Sequence, residues 1–168
     1  MRFITLIPFF FISSLWATPT DASKMMDALL TAYYPIQEQL VKSDQSEAQK
    51  LGPAFLQVLT ESTSRLETTT HDSLLRDAQA LIQAENLDDT RLHFMRISQT
   101  LISMIEVSGV DQVSAYQVRC ECMQPYFPAD GATWLQATEQ IYNPYWGSRM
   151  LHCGLPEAEY SAAKPTPE

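Results

Sequence analysis

Apolar residues from Asp21 onward recur at three- and four-residue spacing. Met25, Met26, Leu29, Leu30, Tyr33 and Tyr34 open the stripe, and Ile36 and Leu40 extend it. Such one-faced periodicity predicts an amphipathic helix. Pro35 lies inside the run and predicts a kink or a split, because proline lacks an N–H and its ring crowds the preceding turn. Ser43-Asp44-Gln45-Ser46-Glu47 is a polar turn that caps a second helix, which holds Ala48, Leu51, Phe55, Leu56, Leu59 and Leu66. Gly52-Pro53 predicts a bend near its start, or a later start with Pro53 in the first turn. Thr68-Thr69-Thr70 reads as a connection. Asp72 or Ser73 then caps a third helix with Leu74, Leu75, Ala78, Leu81 and Ile82. Asn86-Leu87-Asp88-Asp89 closes that helix and caps a fourth. The fourth runs from about Thr90 through Phe94, Met95, Ile97, Leu101, Ile102 and Ile105 to Gly109. Four such helices with short connections predict a mainly α fold, an antiparallel four-helix bundle over residues 21–109.

Beyond Gly109 the helical period stops. Val113-Ser114-Ala115-Tyr116-Gln117-Val118 is short and β-tending. Pro125, Pro128, Asp130-Gly131, Asn143-Pro144 and Gly147 follow, a density of turn residues that predicts an irregular segment. Tyr126, Phe127, Trp134, Tyr142, Tyr145 and Trp146 make it aromatic-rich. The expectation is a segment over residues 110–158 packed on the bundle, followed by a disordered tail over residues 159–168.

The first residues change the setting. Met1-Arg2 is followed by a brief apolar run, then by Ala17 at a polar boundary. These are the parts of a cleavable secretory signal peptide over residues 1–17. The run is too short for a transmembrane helix, which needs roughly 20 apolar residues. No stable membrane insertion is expected, and the mature chain is expected in the periplasm or secreted. A net charge of −9 over 168 residues argues against nucleic acid, whose phosphates call for a basic stripe.

Export sharpens the reading of the sulfurs. Cys120, Cys122 and Cys153 all lie in the last third of the chain, in the clusters Cys120-Glu121-Cys122-Met123 and Met150-Leu151-His152-Cys153. Thiolate and thioether are soft donors that select Cu(I) and similar ions. The competing reading is a disulfide from Cys120 or Cys122 to Cys153, natural in an oxidising compartment. Catalysis is not expected. One residue separates Cys120 from Cys122, not the two of redox-active pairs, and no acid that would orient His152 is evident.

Three stretches together resemble a known family: Tyr116-Gln117-Val118-Arg119-Cys120-Glu121-Cys122, then Gly131-Ala132-Thr133-Trp134-Leu135, then Ile141-Tyr142-Asn143-Pro144-Tyr145-Trp146-Gly147-Ser148-Arg149-Met150-Leu151-His152-Cys153-Gly154. They are similar to the C-terminal signature of the domain of unknown function 3347, and the turn from Val41 to Ala48 is similar to its helical part. That family is found as an exported domain and attached to periplasmic adaptor subunits of copper/silver efflux pumps. The resemblance implies a soft-metal site for Cu(I) or Ag(I), built from Cys120, Cys122, Met150 and Cys153, with Met123 and His152 as further ligands. It places the family's two cysteines on Cys120 and Cys153. The family's proline falls on Glu121 and one of its methionines on Cys122. Trp134, Asn143, Pro144, Tyr145 and Gly147 are expected to pack and turn the motif. A periplasmic efflux adaptor or another metal-handling protein is the implied partner. The rival function is a structural or interaction module stapled by a Cys120–Cys153 disulfide, without metal.

Overall fold

Helix α1 spans Asp21–Val41 and starts where the Thr20 side chain accepts the Ser23 N–H. The computed structural model describes residues 20–122, 128 and 131–161. The expected leader over residues 1–17, Met123, and residues 162–168 of the expected tail lie outside these. α1 runs through Pro35 without a split. The carbonyl that Pro35 leaves unpaired belongs to exposed Thr31, where water can satisfy it. α2 spans Gln45–Ser62, capped by Asp44, and holds Gly52 and Pro53 well inside it. Neither the late start nor an ending as far as Leu66 is observed.

α3 spans Thr68–Gln83, so the three threonines form its first turn instead of a connection. A first turn has no preceding turn for a β-branched side chain to crowd, so threonine costs little there. α4 spans Leu87–Ser108, capped by Asn86, and ends at Gly109. α1 packs on α2, α2 on α3, α3 on α4 and α4 back on α1. Their apolar faces share one core that includes Met26, Leu29, Leu40, Phe55, Leu59, Leu81 and Leu101.

The C-terminal part departs most from expectation. One short strand is expected there, and three are found: β1 (Ala115–Cys120), β2 (Ala132–Gln136) and β3 (Leu155–Tyr160). They form an antiparallel sheet in the order β2-β1-β3. β2 is almost wholly buried, so its sequence shows none of the alternation by which strands are recognised. β3 carries Pro156 and two glutamates, which read against a strand, but it pairs only on one side, where proline is tolerated. β3 also carries order past the boundary expected at residue 158, to Tyr160.

A column of rings joins helices to sheet. Tyr33 stacks on Phe94 with centroids 4.8 Å apart. Phe94 meets the edge of Tyr145 at 6.2 Å, and Tyr145 meets Trp134 at 5.8 Å. All four are fully buried. Their polar ends are satisfied, as buried polar groups must be. The Tyr33 hydroxyl pairs with Ser98 Oγ at 2.7 Å and accepts the Leu135 N–H. The Tyr145 hydroxyl donates to the Thr133 carbonyl, and Trp134 Nε1 donates to Gln136 Oε1. Among the described residues no helix is long and apolar enough to cross a membrane.

Candidate metal centre

The register of the sheet explains why distant cysteines meet. β1 and β3 run antiparallel with Arg119 opposite Leu155. Two more residues along that register set Cys153 level with position 121, between Cys120 and Cys122. Cys120 closes β1 and is fully buried, while Cys122 and Cys153 are half-buried in the bends beside it. The three Sγ atoms lie within 4.8 Å of one another, and among the described residues this is the group of His, Cys, Asp or Glu that could hold a metal ion. Cys153 Sγ is 2.6 Å from Cys122 Sγ and 4.0 Å from Cys120 Sγ. All three are free thiols.

The loop that delivers Cys153 is built around Asn143. Its Nδ2 donates to the Cys153 carbonyl at 2.7 Å. Its Oδ1 accepts the N–H groups of Tyr145 and Trp146, an Asx turn that starts Pro144-Tyr145-Trp146. Its own N–H donates to the Leu151 carbonyl. Asn143 is fully buried, so each of these bonds holds a group that water cannot reach. Trp146 reaches back with Nε1 to the Cys122 carbonyl at 3.2 Å, and the Arg149 guanidinium lies over its ring at 4.6 Å. Trp146 thereby touches the thiol loop directly, whereas Trp134 and Tyr145 serve the core.

Two glycines permit close approach. Gly147 has φ of 54°, and a Cβ there would come within 2.5 Å of Ser43 Oγ and 2.9 Å of the Val41 carbonyl. Gly154 follows Cys153, and a Cβ there would strike Val118 at 2.6 Å and Trp134 at 2.9 Å. Only a hydrogen lets the chain pass so near the core at both points.

Sequence reasoning overlooks the residue that ties this loop to the helices. Arg91, 3 % exposed, donates Nε to the Pro144 carbonyl at 2.8 Å. Its Nη2 donates to the Leu40 carbonyl and to Ser43 Oγ. Gln37 on α1 adds a bond to the Tyr142 carbonyl. A signal was present: Arg91 falls on the apolar stripe of α4, three residues before Phe94, where a charge is out of place unless it has buried acceptors.

Two further expected ligands, Met150 and His152, lie on the turn that leads to Cys153. Met150 closes the turn to Cys153 through its backbone, its carbonyl accepting the Cys153 N–H, and it is 37 % exposed. His152 is exposed, and its Nδ1 is engaged with the Ile141 carbonyl at 2.8 Å.

The electrostatics favour the protonated forms of Cys120 and Cys153 at neutral pH. Contact with the Cys122 thiol, and then burial, push the Cys153 thiol up to about 12. Burial pushes the Cys120 thiol up, with the Cys122 N–H and the Asn143 side chain pulling the other way. A bound soft ion would displace the protons, because only thiolate coordinates.

No curated protein and no solved structure matches the chain. The family described as a protein of unknown function (DUF3347) matches residues 29–113, from within α1 to just before β1. The motif that carries the resemblance in the sequence, with its cysteines, lies C-terminal to that match. On the match across its helices, half of the chain, this protein belongs to the family of proteins of unknown function DUF3347.

Proposed function

We propose that this protein is exported to the periplasm, where it binds and sequesters a soft monovalent ion, Cu(I) or Ag(I), and passes it to an efflux adaptor. The observation that carries this reading is the convergence of three thiols within 4.8 Å, from two segments about thirty residues apart. An ion bonded to three coplanar sulfurs at about 2.3 Å each holds them about 4 Å apart. Cys120 and Cys153 already stand at that separation, and the Cys122–Cys153 gap of 2.6 Å must open by roughly 1.4 Å. Both cysteines of that pair lie outside the strands, where such a shift costs less than in a paired ladder. Met150, exposed and three residues before Cys153, supplies the thioether that takes part in hand-over. Binding, not catalysis, suits a site in which Cys120 and Cys153 keep their protons until a soft ion displaces them.

Competition against a chromogenic Cu(I) chelator tests this on the reduced mature chain. The expected result is retained Cu(I), weakened at least tenfold by Cys153→Ser and less by Met150→Leu. Failure of the reduced chain to compete better than a variant lacking all three cysteines would overturn the proposal.

A further inference from the structure

The three thiols are not equivalent, and the differences all point one way. Cys120 is fully buried, and its backbone is held in the ladder opposite Ala132. Its sulfur accepts the Cys122 N–H at 3.3 Å, so it has a partner whatever the other two sulfurs do. Cys122 lies beyond the end of β1, and Cys153 lies in the turn before β3. Both are half-buried, within reach of a small oxidant, and their sulfurs stand 2.6 Å apart. Cys120 is 4.0 Å from Cys153. A disulfide needs about 2.05 Å between sulfurs, so Cys122 and Cys153 close with a shift of roughly half an ångström, while the Cys120–Cys153 gap must close by roughly 2 Å.

We infer that Cys122 and Cys153 form the redox pair of this site, that Cys120 remains a thiol when they join, and that their joining releases the bound ion. The inference deepens the metal-binding reading and rests on it for the release step. It also differs from the Cys120–Cys153 disulfide of the rival, metal-free reading.

A small disulfide such as oxidised glutathione is a sufficient oxidant. The thiolate of one cysteine attacks the glutathione disulfide, forming a mixed disulfide and releasing one glutathione thiolate. The thiolate of the second cysteine then attacks the protein sulfur of the mixed disulfide and expels the other glutathione. One protein S–S bond forms and one glutathione S–S bond breaks. Two electrons pass from the two cysteine sulfurs to two glutathione molecules, which leave as thiolates and take their protons from water. Cys120 is left as one donor of the original three, too few to retain the ion.

Glu121 makes the pairing directly readable, because a glutamate-specific protease cuts between Cys120 and Cys122. The reduced chain is incubated with oxidised glutathione, its remaining thiols are alkylated under denaturing conditions, and the digest is mapped by mass spectrometry. The Cys122 peptide is expected joined to the Cys153 peptide, with Cys120 alkylated. A predominant bond from Cys120 to either partner would overturn the inference. In parallel, Ag(I) is added to both forms; the oxidised chain should lose at least nine-tenths of the Ag(I) that the reduced chain retains. Ag(I) binding by the reduced chain with pairing through Cys120 sinks this inference and leaves the proposed function standing. Cys122–Cys153 pairing with no Ag(I) bound by either form sinks the proposed function and the release step together.

Discussion

At the scale of the residue, the sulfur chemistry is the part most legible in sequence, and the side chain that organises it is the least. Two cysteines one residue apart, with a third near a glycine, announce a cluster. Nothing in the letters says that Asn143 holds the Cys153 carbonyl, the Tyr145 N–H and the Trp146 N–H at once. An asparagine before proline reads as an ordinary turn. Asn143→Ala leaves those buried groups unpaired and should destabilise the chain by about 3 kcal/mol, since each such group costs roughly 1–3 kcal/mol. Urea unfolding checks this: the midpoint should fall with little change in slope, and an unchanged midpoint contradicts it.

The Cys153 thiol gives a second prediction at this scale. Its pKa is raised from the ordinary thiol range to about 12 in the folded chain. Over that window the folded chain holds more protons than the unfolded one, so stability falls as pH rises. The reduced protein should therefore lose stability between pH 9 and pH 12 more steeply than its Cys153→Ser variant. Parallel curves for the two would argue against the raised value.

At the scale of the element, the four helices follow from apolar period and caps; their number and order were readable, but α2 stops at Ser62, short of Leu66, and α3 starts at Thr68, ahead of the expected cap at Asp72 or Ser73. The strands were not, for two separate reasons. β2 hides its alternation by being buried on both faces, and β3 hides its identity behind Pro156 and its glutamates. The joint between helices and loop was equally hidden, because its donors, Arg91 and Gln37, sit among apolar residues of α4 and α1. Arg91 reaches the loop at Pro144 and the end of α1 at Leu40 and Ser43. Lysine offers one ammonium in place of the guanidinium fork and cannot span these acceptors together. Arg91→Lys should cost about 2–4 kcal/mol, in the range of disrupting a buried polar network. It should also free the Cys153 loop, which alkylation of the native chain would register as at least a threefold faster reaction at Cys153. Loss of stability without faster labelling would mean that Arg91 supports the core but does not hold the site.

At the scale of the whole molecule, the chain has two parts of unequal standing. The helices place it in its family, since the match covers residues 29–113. The sheet and its loops bring together the only group of three candidate ligands found among the described residues. The ring column and Arg91 join the two, so the loop that carries Cys153 is tied to the helices. The charge of −9 is consistent with a protein that meets cations, although the site's own donors are sulfur and not carboxylate. The central claim is that the three thiols act as one ion site, and counting ions tests it most directly. Native mass spectrometry of the reduced chain with limiting Ag(I) should show a dominant species with one ion per chain. That species should be lost when Cys120, Cys122 and Cys153 are all replaced by serine. Equal Ag(I) uptake by the reduced chain and the triple variant would contradict the claim.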